Sequence, residues 1–232
     1  IINTTPVGMY PNNGDFLDYI NLDNFKNLEG VLDLIYNPNM TKILIDAKLK
    51  NIKFACGIDM LIAQAIKSSE LFLDKNFDPS LISDLRNSLL KNQINIALIG
   101  MPGSGKTSLG QILSKNMNRK FFDIDEEFVK KYGNIEDFFN KYGEDEFRKK
   151  ESQIIKEISK SNSLIISCGG GVVEKDINYY YLKGNSLIVN VRRDLEKLEI
   201  DGRPLSKKYN LDFLYEKRKN LYDNLNWRRK SI

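Results

Sequence analysis

Apolar residues recur along this chain in two rhythms, short unbroken runs and longer stretches at helical spacing. Four runs predict short strands, at Ile94–Ile99, Lys120–Asp123, Leu164–Cys168 and Ser186–Val191. Between and after them, helical spacing predicts helices over Thr107–Met117, Glu126–Tyr132, Ile135–Tyr142, Glu144–Lys160, Lys175–Leu182 and Leu211–Asn224. Strands alternating with helices predict a parallel sheet covered on both faces. The first 93 residues carry the same alternation less completely. Ile1-Ile2-Asn3 reads as the end of a buried strand, Thr4–Gly14 as a loop, and Val31–Ile35 as a second strand closed by Asn37-Pro38. A helix over Thr41–Lys50 follows, with Thr41 as N-cap and Ile43, Leu44, Ala47 and Lys48 at helical spacing. Gly57 opens a longer helix in which Met60, Leu61, Gln64 and Ala65 share a face, with Ile58 and Ile62 nearby, and a last helix spans Pro79–Lys91. Asn92-Gln93 then marks a boundary between a partial α/β unit, 1–93, and a parallel-sheet domain, 94–232.

The strand at Ile96–Ile99 runs directly into Gly100-Met101-Pro102-Gly103-Ser104-Gly105-Lys106-Thr107, which fits the phosphate-loop pattern at every fixed position. Glycines let backbone N–H groups curl around phosphate oxygens, and the helix starting near Lys106 directs its positive end at them. Lys106 adds a cation, and the Thr107 hydroxyl suits Mg²⁺. The order strand, glycine turn, amphipathic helix favours a nucleotide-binding loop over a chance glycine-rich turn.

Composition narrows the chemistry. A hydrophobic fraction of 41% and a charged fraction of 28% are those of a globular protein. The net charge of +4 fits an anionic small molecule better than a nucleic-acid surface, and no dense basic stripe argues otherwise. With no histidine, His-ligated zinc and His-based triads are excluded. Cys56 and Cys168 lie far apart in apolar contexts and read as buried thiols. No membrane span or signal peptide is visible, which predicts a cytoplasmic protein; the start at Ile1 within a strand predicts a cut N-terminus.

Several further positions are candidates for chemistry. Asp123-Ile124-Asp125 ends the second strand of the domain, and strand period predicts both carboxylates on one face, toward a ligand crevice. Asp125 equally suits a helix cap, with Glu126 and Glu127 behind it. Arg148 lies in a strongly charged helix where most charges are solvated. Gly169-Gly170-Gly171 leaves a strand and either exposes N–H groups to a ligand or forms a flexible turn. Gly202-Arg203-Pro204-Leu205 falls in a polar segment able to close over a nucleotide, and Arg218 sits on a basic helix.

From Asn95 to Tyr222 these positions resemble shikimate kinase, at GMPGSGKTS, DID, EDEFRKKE, SCGGGVV, GRPL and KRKNLY, in that family's order. The resemblance implies a phosphate-loop kinase fold of the nucleoside-monophosphate-kinase type and ATP-dependent phosphorylation of the shikimate 3-hydroxyl in aromatic amino acid biosynthesis. It implies that Gly103, Ser104, Gly105, Lys106, Thr107 and Ser108 hold ATP, with Thr107 on Mg²⁺ and Asp123 on its water shell. Asp125 would bind the reacting hydroxyl as base or orienter. Arg148, Arg218 and the Gly169–Gly171 segment, through the Gly170 N–H, would grip shikimate. Lys106 and the lid residue Arg203 would neutralise the transferring group. The segment Asp194–Gly202 is short for the family's lid, and no residue matches the arginine that flanks adenine. The family continues past the KRKNLY helix into a further strand and helix, so the resemblance implies a kinase domain truncated at its C-terminus.

The segments NTTPVGM (Asn3–Met9), DLIYNP (Asp33–Pro38) and GIDMLIAQA (Gly57–Ala65) are similar to the C-terminal part of shikimate dehydrogenase, in order and spacing. By that resemblance Tyr36 and Gln64 match substrate contacts, Thr4, Leu34 and Gly57 line the NADP site, and Met60 lies near the nicotinamide. No glycine-rich dinucleotide fingerprint and no catalytic substrate domain are present, so NADP would bind only in a complete dehydrogenase, and no hydride transfer is expected. The expected partners are shikimate and ATP, without nucleic acid or membrane; the motifs carry no signal of oligomeric state. The rival readings are another small-molecule phosphate-loop kinase, acting on gluconate or a nucleotide, and a catalytically inactive nucleotide-binding module.

Overall fold

The structure is a computed structural model and describes residues 1–11, 20–194 and 211–224. The chain divides into two compact units, Ile1–Ile94 with Lys183–Asn185, and Asn95–Leu182 with Ser186–Ile232.

The first unit is built on a three-stranded parallel sheet in the order β1 (Ile2–Asn3), β2 (Gly30–Asp33), β3 (Lys53–Cys56). The strand β3 is absent from the sequence reading because its residues, KFAC, neither alternate cleanly nor lie buried. Helix α1 (Lys42–Leu49) covers one face with Ile43, Leu44 and Ala47, which close with Leu22 and Val31 into a small core. Thr41 precedes α1 as expected, but its hydroxyl donates to Asp33 Oδ2 at 2.5 Å and makes no cap bond to the helix. The other sheet face stays open, with Ile2 and Leu32 both exposed. Helix α2 (Ile58–Leu73) buries Ile58 and Ile62, whereas Met60, Leu61, Gln64 and Ala65 are solvent-facing or nearly so. Within the apolar group expected there, Ile58 and Ile62 form the buried stripe, since a helix with apolar residues on several sides does not reveal by spacing alone which will be covered. Helix α3 (Leu81–Gln93) completes the unit.

The second unit carries a four-stranded parallel sheet in the order β5 (Lys120–Asp123), β6 (Leu164–Ser167), β4 (Asn95–Ile99), β7 (Ser186–Asn190). The central pair, β4 and β6, is buried almost throughout, as a sheet covered on both faces requires. Asn95 ties their starts together, donating to Ser161 O at 2.7 Å and accepting from Leu164 N at 2.9 Å. Helices α4 (Lys106–Met117), α5 (Ile124–Tyr132), α6 (Ile135–Ile158), α7 (Asp176–Asn185) and α8 (Leu211–Asn224) surround the sheet. The two helices expected at 135–160 follow each other within α6 and are separated at Gly143, whose φ of 81° and ψ of 173° leave the helical region. Each aliphatic side chain buried here, Ile99, Ile124, Ile155, Ile166 and Leu182 among them, contributes about 1.5–3 kcal/mol. An aromatic cluster of Phe128, Phe138 and Phe147 locks α5 onto α6. Among the described residues no helix is long and apolar enough to cross a membrane.

Candidate active site

All four strands of the second sheet run parallel, so their carboxyl ends share one edge, and the candidate residues of this unit gather there. The turn after β4 takes positive φ at Gly100, Gly103 and Gly105, which side chains would resist. A Cβ on Gly105 would meet nothing within 4 Å, so the loop faces open space where a ligand would lie. The buried Ser104 hydroxyl has no hydrogen-bond partner, an orphan that suits a phosphate oxygen. Lys106 starts α4 with its ammonium held by Gly100 O at 2.9 Å and Met101 O at 2.8 Å. The Thr107 hydroxyl donates to Asp123 Oδ2 at 3.0 Å, joining α4 to the end of β5. A hydroxyl and a carboxylate so placed fit Mg²⁺, which takes one or two protein oxygens beside phosphate and water. Ser108, in the first turn of α4, is exposed.

The acidic pair departs from expectation. Strand β5 ends at Asp123, and Asp125 lies inside the first turn of α5, so the two carboxylates do not share a strand face. Asp123, not Asp125, is the cap: its Oδ1 accepts from Asp125 N at 2.9 Å and from Glu126 N at 3.4 Å. Its second oxygen is thereby left for Thr107. Helical geometry turns Asp125 toward the exit of β6, where its Oδ1 would stand 2.9 Å from a Cβ on Gly169.

The triple glycine is required by close approach. A Cβ on Gly170 would lie 2.7 Å from the Pro102 ring of the phosphate loop. One on Gly171 would lie 2.0 Å from Arg148 Nη2. The segment therefore packs Asp125, the loop and Arg148 around itself, and no side chain fits between.

Arg148 and Arg218 are both buried, although each lies on a helix rich in exposed charge. Arg148 Nη1 donates to Glu151 Oε2 at 2.9 Å, while its Nη2 stands 3.5 Å from Glu144 and 3.8 Å from Glu174. Its Nε and Nη2 are buried without hydrogen-bond partners. Arg218 donates from Nε to Glu174 Oε1 at 2.7 Å, and its Nη2 forms an ion pair with the same oxygen at 2.6 Å. Burial pushes the Glu174 carboxyl up, but the Arg218 and Arg148 charges and bonds from Lys217 and Arg218 outweigh it, and its pKa is lowered. Burial likewise opposes the charged form of Arg148, yet Glu151 and Glu174 hold its pKa raised. Tyr222, one turn beyond Arg218, donates its hydroxyl to Gly170 O at 2.5 Å and fastens α8 to the glycine segment.

Glu151 and Glu174 are partners of the candidate arginines that sequence reasoning missed. Glu151 stands three residues after Arg148, a helical pairing available to inspection. Glu174 directly follows the SCGGGVV motif, but its bond to Arg218 spans 44 residues and has no local signal. A cavity of about 100 Å³ opens beside Met101 of the phosphate loop, lined also by Arg192, Arg193, Tyr215, Lys219 and Tyr222 among others. Arg203, expected on the covering loop, lies outside the described residues, as do the short lid segment and the chain beyond α8.

In the first unit, Thr4, Leu34 and Gly57 directly follow the strand ends Asn3, Asp33 and Cys56, which lie in register. Buried Asp33 links the segments by accepting from Asn3 Nδ2 at 3.1 Å and from Thr41 Oγ1 at 2.5 Å. Tyr36 lies beyond β2 and is half exposed; Met60 and Gln64 occupy successive turns of α2.

Comparison with known proteins agrees with this geometry. The family model described as Shikimate kinase matches residues 102–230. A shikimate kinase of Clostridium botulinum (strain Eklund 17B / Type B) is 42% identical over 142 residues, 57% of this chain and 83% of its own length. The solved shikimate kinase of Acinetobacter baumannii, in complex with shikimate, superposes with a TM-score of 0.51 at 28% identity, covering 59% of this chain and 82% of that one. The shikimate kinase of Aquifex aeolicus gives a TM-score of 0.50 at 33% identity over 56% of this chain and 83% of its own. With a phosphate loop, an acidic strand end and two buried guanidinium groups at one sheet edge, and a family match over more than half its length, this chain belongs to the shikimate kinase family of phosphotransferases.

Proposed function

We propose that the second unit transfers the terminal phosphoryl group of ATP to the 3-hydroxyl of shikimate, releasing ADP and shikimate 3-phosphate. The observation that carries this reading is the meeting of two buried arginines, from α6 and α8, beside a glycine segment that also touches Asp125 and the phosphate loop. Two guanidinium groups suit a carboxylate because their forked donors engage both oxygens. Arg148 Nη2, buried without an acceptor, gains one when that carboxylate arrives.

The loop N–H groups and the Ser104 hydroxyl bind the ATP phosphates, and Lys106 turns from its loop carbonyls to the transferring group. Thr107 and Asp123 would hold Mg²⁺, which withdraws charge from the phosphate oxygens when bound. Asp125 orients the reacting hydroxyl and takes its proton as the new O–P bond forms and the bridging O–P bond breaks. Arg203 is the sequence's candidate for the remaining charge. Coupled ADP-release assays test this: turnover is expected with shikimate and not with gluconate or nucleoside monophosphates. Asp125→Asn should keep ATP affinity within about twofold and lower kcat by roughly 10³-fold or more. Turnover on gluconate or a nucleotide in place of shikimate would overturn the assignment.

We also propose that residues 1–93 are the C-terminal part of a shikimate dehydrogenase NADP domain, forming a separate domain before the kinase. A parallel sheet with an open face supports this, since parallel sheets are normally covered on both sides. Shikimate-dependent NADPH formation by the chain as given should be undetectable, and a signal would contradict an incomplete unit.

A further inference from the structure

We infer that Glu174 is a positioning residue for substrate binding: one carboxylate that holds the two clamp arginines at a set separation. The inference rests on the reading that Arg148 and Arg218 receive the shikimate carboxylate. Glu174 follows the glycine segment at the end of a 3-10 turn, Val172–Glu174, whose neighbours Val172 and Val173 are buried in the core. Its backbone is therefore firmly seated. From there Oε1 accepts from Arg218 Nε, pairs with its Nη2 at 2.6 Å and lies 3.8 Å from Arg148 Nη2, while Oε2 accepts from the exposed Lys217 at 3.1 Å.

The division of donors is informative. Glu174 takes the Nε edge of Arg218, and Glu151 takes Nη1 of Arg148. Neither carboxylate holds Arg218 Nη1, and Arg148 Nη2 has no hydrogen bond at all. Each guanidinium is thus braced by a carboxylate, and Arg148 retains a buried nitrogen, Nη2, that makes no hydrogen bond. Arg148 and Arg218 come from helices far apart in sequence, and without Glu174 nothing described links their charged ends; two like charges would separate. Among the described residues Glu174 is the carboxylate that reaches both charged ends, and it acts beside the Tyr222 bond that fastens α8 to Gly170.

The test is steady-state kinetics of Glu174→Gln, which keeps size and an acceptor oxygen but removes the charge. The KM for shikimate should rise about tenfold or more, with kcat and the KM for ATP changing by less than about threefold. Because Glu174 acts through Arg218, the shikimate effect should disappear in the Arg218→Ala background. A shikimate analogue with a hydroxymethyl group in place of its carboxylate should be indifferent to the change. Glu174→Asp, which withdraws the charge by one methylene, should fall between. An unchanged or lowered shikimate KM in Glu174→Gln overturns the inference. So do equal losses for shikimate and ATP, or loss of fold in both variants, which would assign Glu174 to the fold alone. If Arg148→Lys and Arg218→Lys leave the shikimate KM unchanged, the clamp itself is wrong; if they raise it while Glu174→Gln does not, only this inference fails.

Discussion

Gly171→Ala adds a single methyl group where the Arg148 guanidinium already lies. The new Cβ would stand 2.0 Å from Nη2, 2.3 Å from Cζ and 2.5 Å from Nη1. Non-bonded heavy atoms settle at about 3.5 Å or more, so the guanidinium must retreat by about 1.5 Å. It has little room, being 3% exposed and packed 5.1 Å from the Phe147 ring centroid. Retreat pulls Nη1 from Glu151, whose side chain is 1% exposed and whose other oxygen already lacks a partner. Breaking one side of a buried pair costs about 3–5 kcal/mol, and backbone adjustment at 169–172 offsets part of it. A net loss of about 2–3 kcal/mol remains, equivalent to a drop of about 10 °C in the unfolding midpoint. Displacing a substrate-holding group by more than about 1 Å costs about 10²-fold in rate. The expectation is therefore a fall of about 10²-fold in kcat/KM for shikimate, with the KM for ATP within about twofold. Coupled ADP-release assays with each substrate varied, alongside a circular-dichroism melt, measure both quantities. A folded variant whose shikimate KM stays within about twofold of the parent would refute the reasoning, because Arg148 would then not be holding substrate.

Three further outcomes follow from the same geometry. Gly57→Ala would set a Cβ 1.9 Å from Leu34 O, a backbone atom, so the first unit should lose about 3 kcal/mol or more. Hydrogen exchange should then show lost protection at 31–35 and 53–56 but retained protection at 164–167; unchanged protection in the first unit would contradict the packing. Burial, with the Glu151 charge beside it, pushes the Cys168 thiol well above its usual range, whereas Cys56 is partly exposed. A thiol reagent at about pH 8 should label Cys56 first and Cys168 only in denaturant, and equal native rates would count against this. The Glu174 carboxyl is held below its ordinary value of 4.5, so its stabilisation is full above that value and is lost as pH falls through the folded value. The parent's advantage in unfolding midpoint over Glu174→Gln should be constant above about pH 5 and shrink in more acid solution; an advantage that grows in acid would reverse the sign.

By itself the sequence determined the secondary structure of the second unit and its phosphate loop. These are local properties: buried runs of strand length, helical periods, and glycines at the turn that needs positive φ. It also marked Arg148, Arg218 and Gly169–Gly171, but only by resemblance, since spacing alone describes solvated charges and a flexible turn. Tertiary structure decided where those residues lie and what they touch. It ended β5 at Asp123, so that Asp123 caps α5 and meets Thr107 while Asp125 turns to Gly169. Within the apolar group expected on α2, it buried Ile58 and Ile62 and left Met60, Leu61, Gln64 and Ala65 exposed. It also joined Arg218 to Glu174 across 44 residues, because burying a guanidinium demands a carboxylate wherever the fold can bring one, and no local pattern records which will arrive.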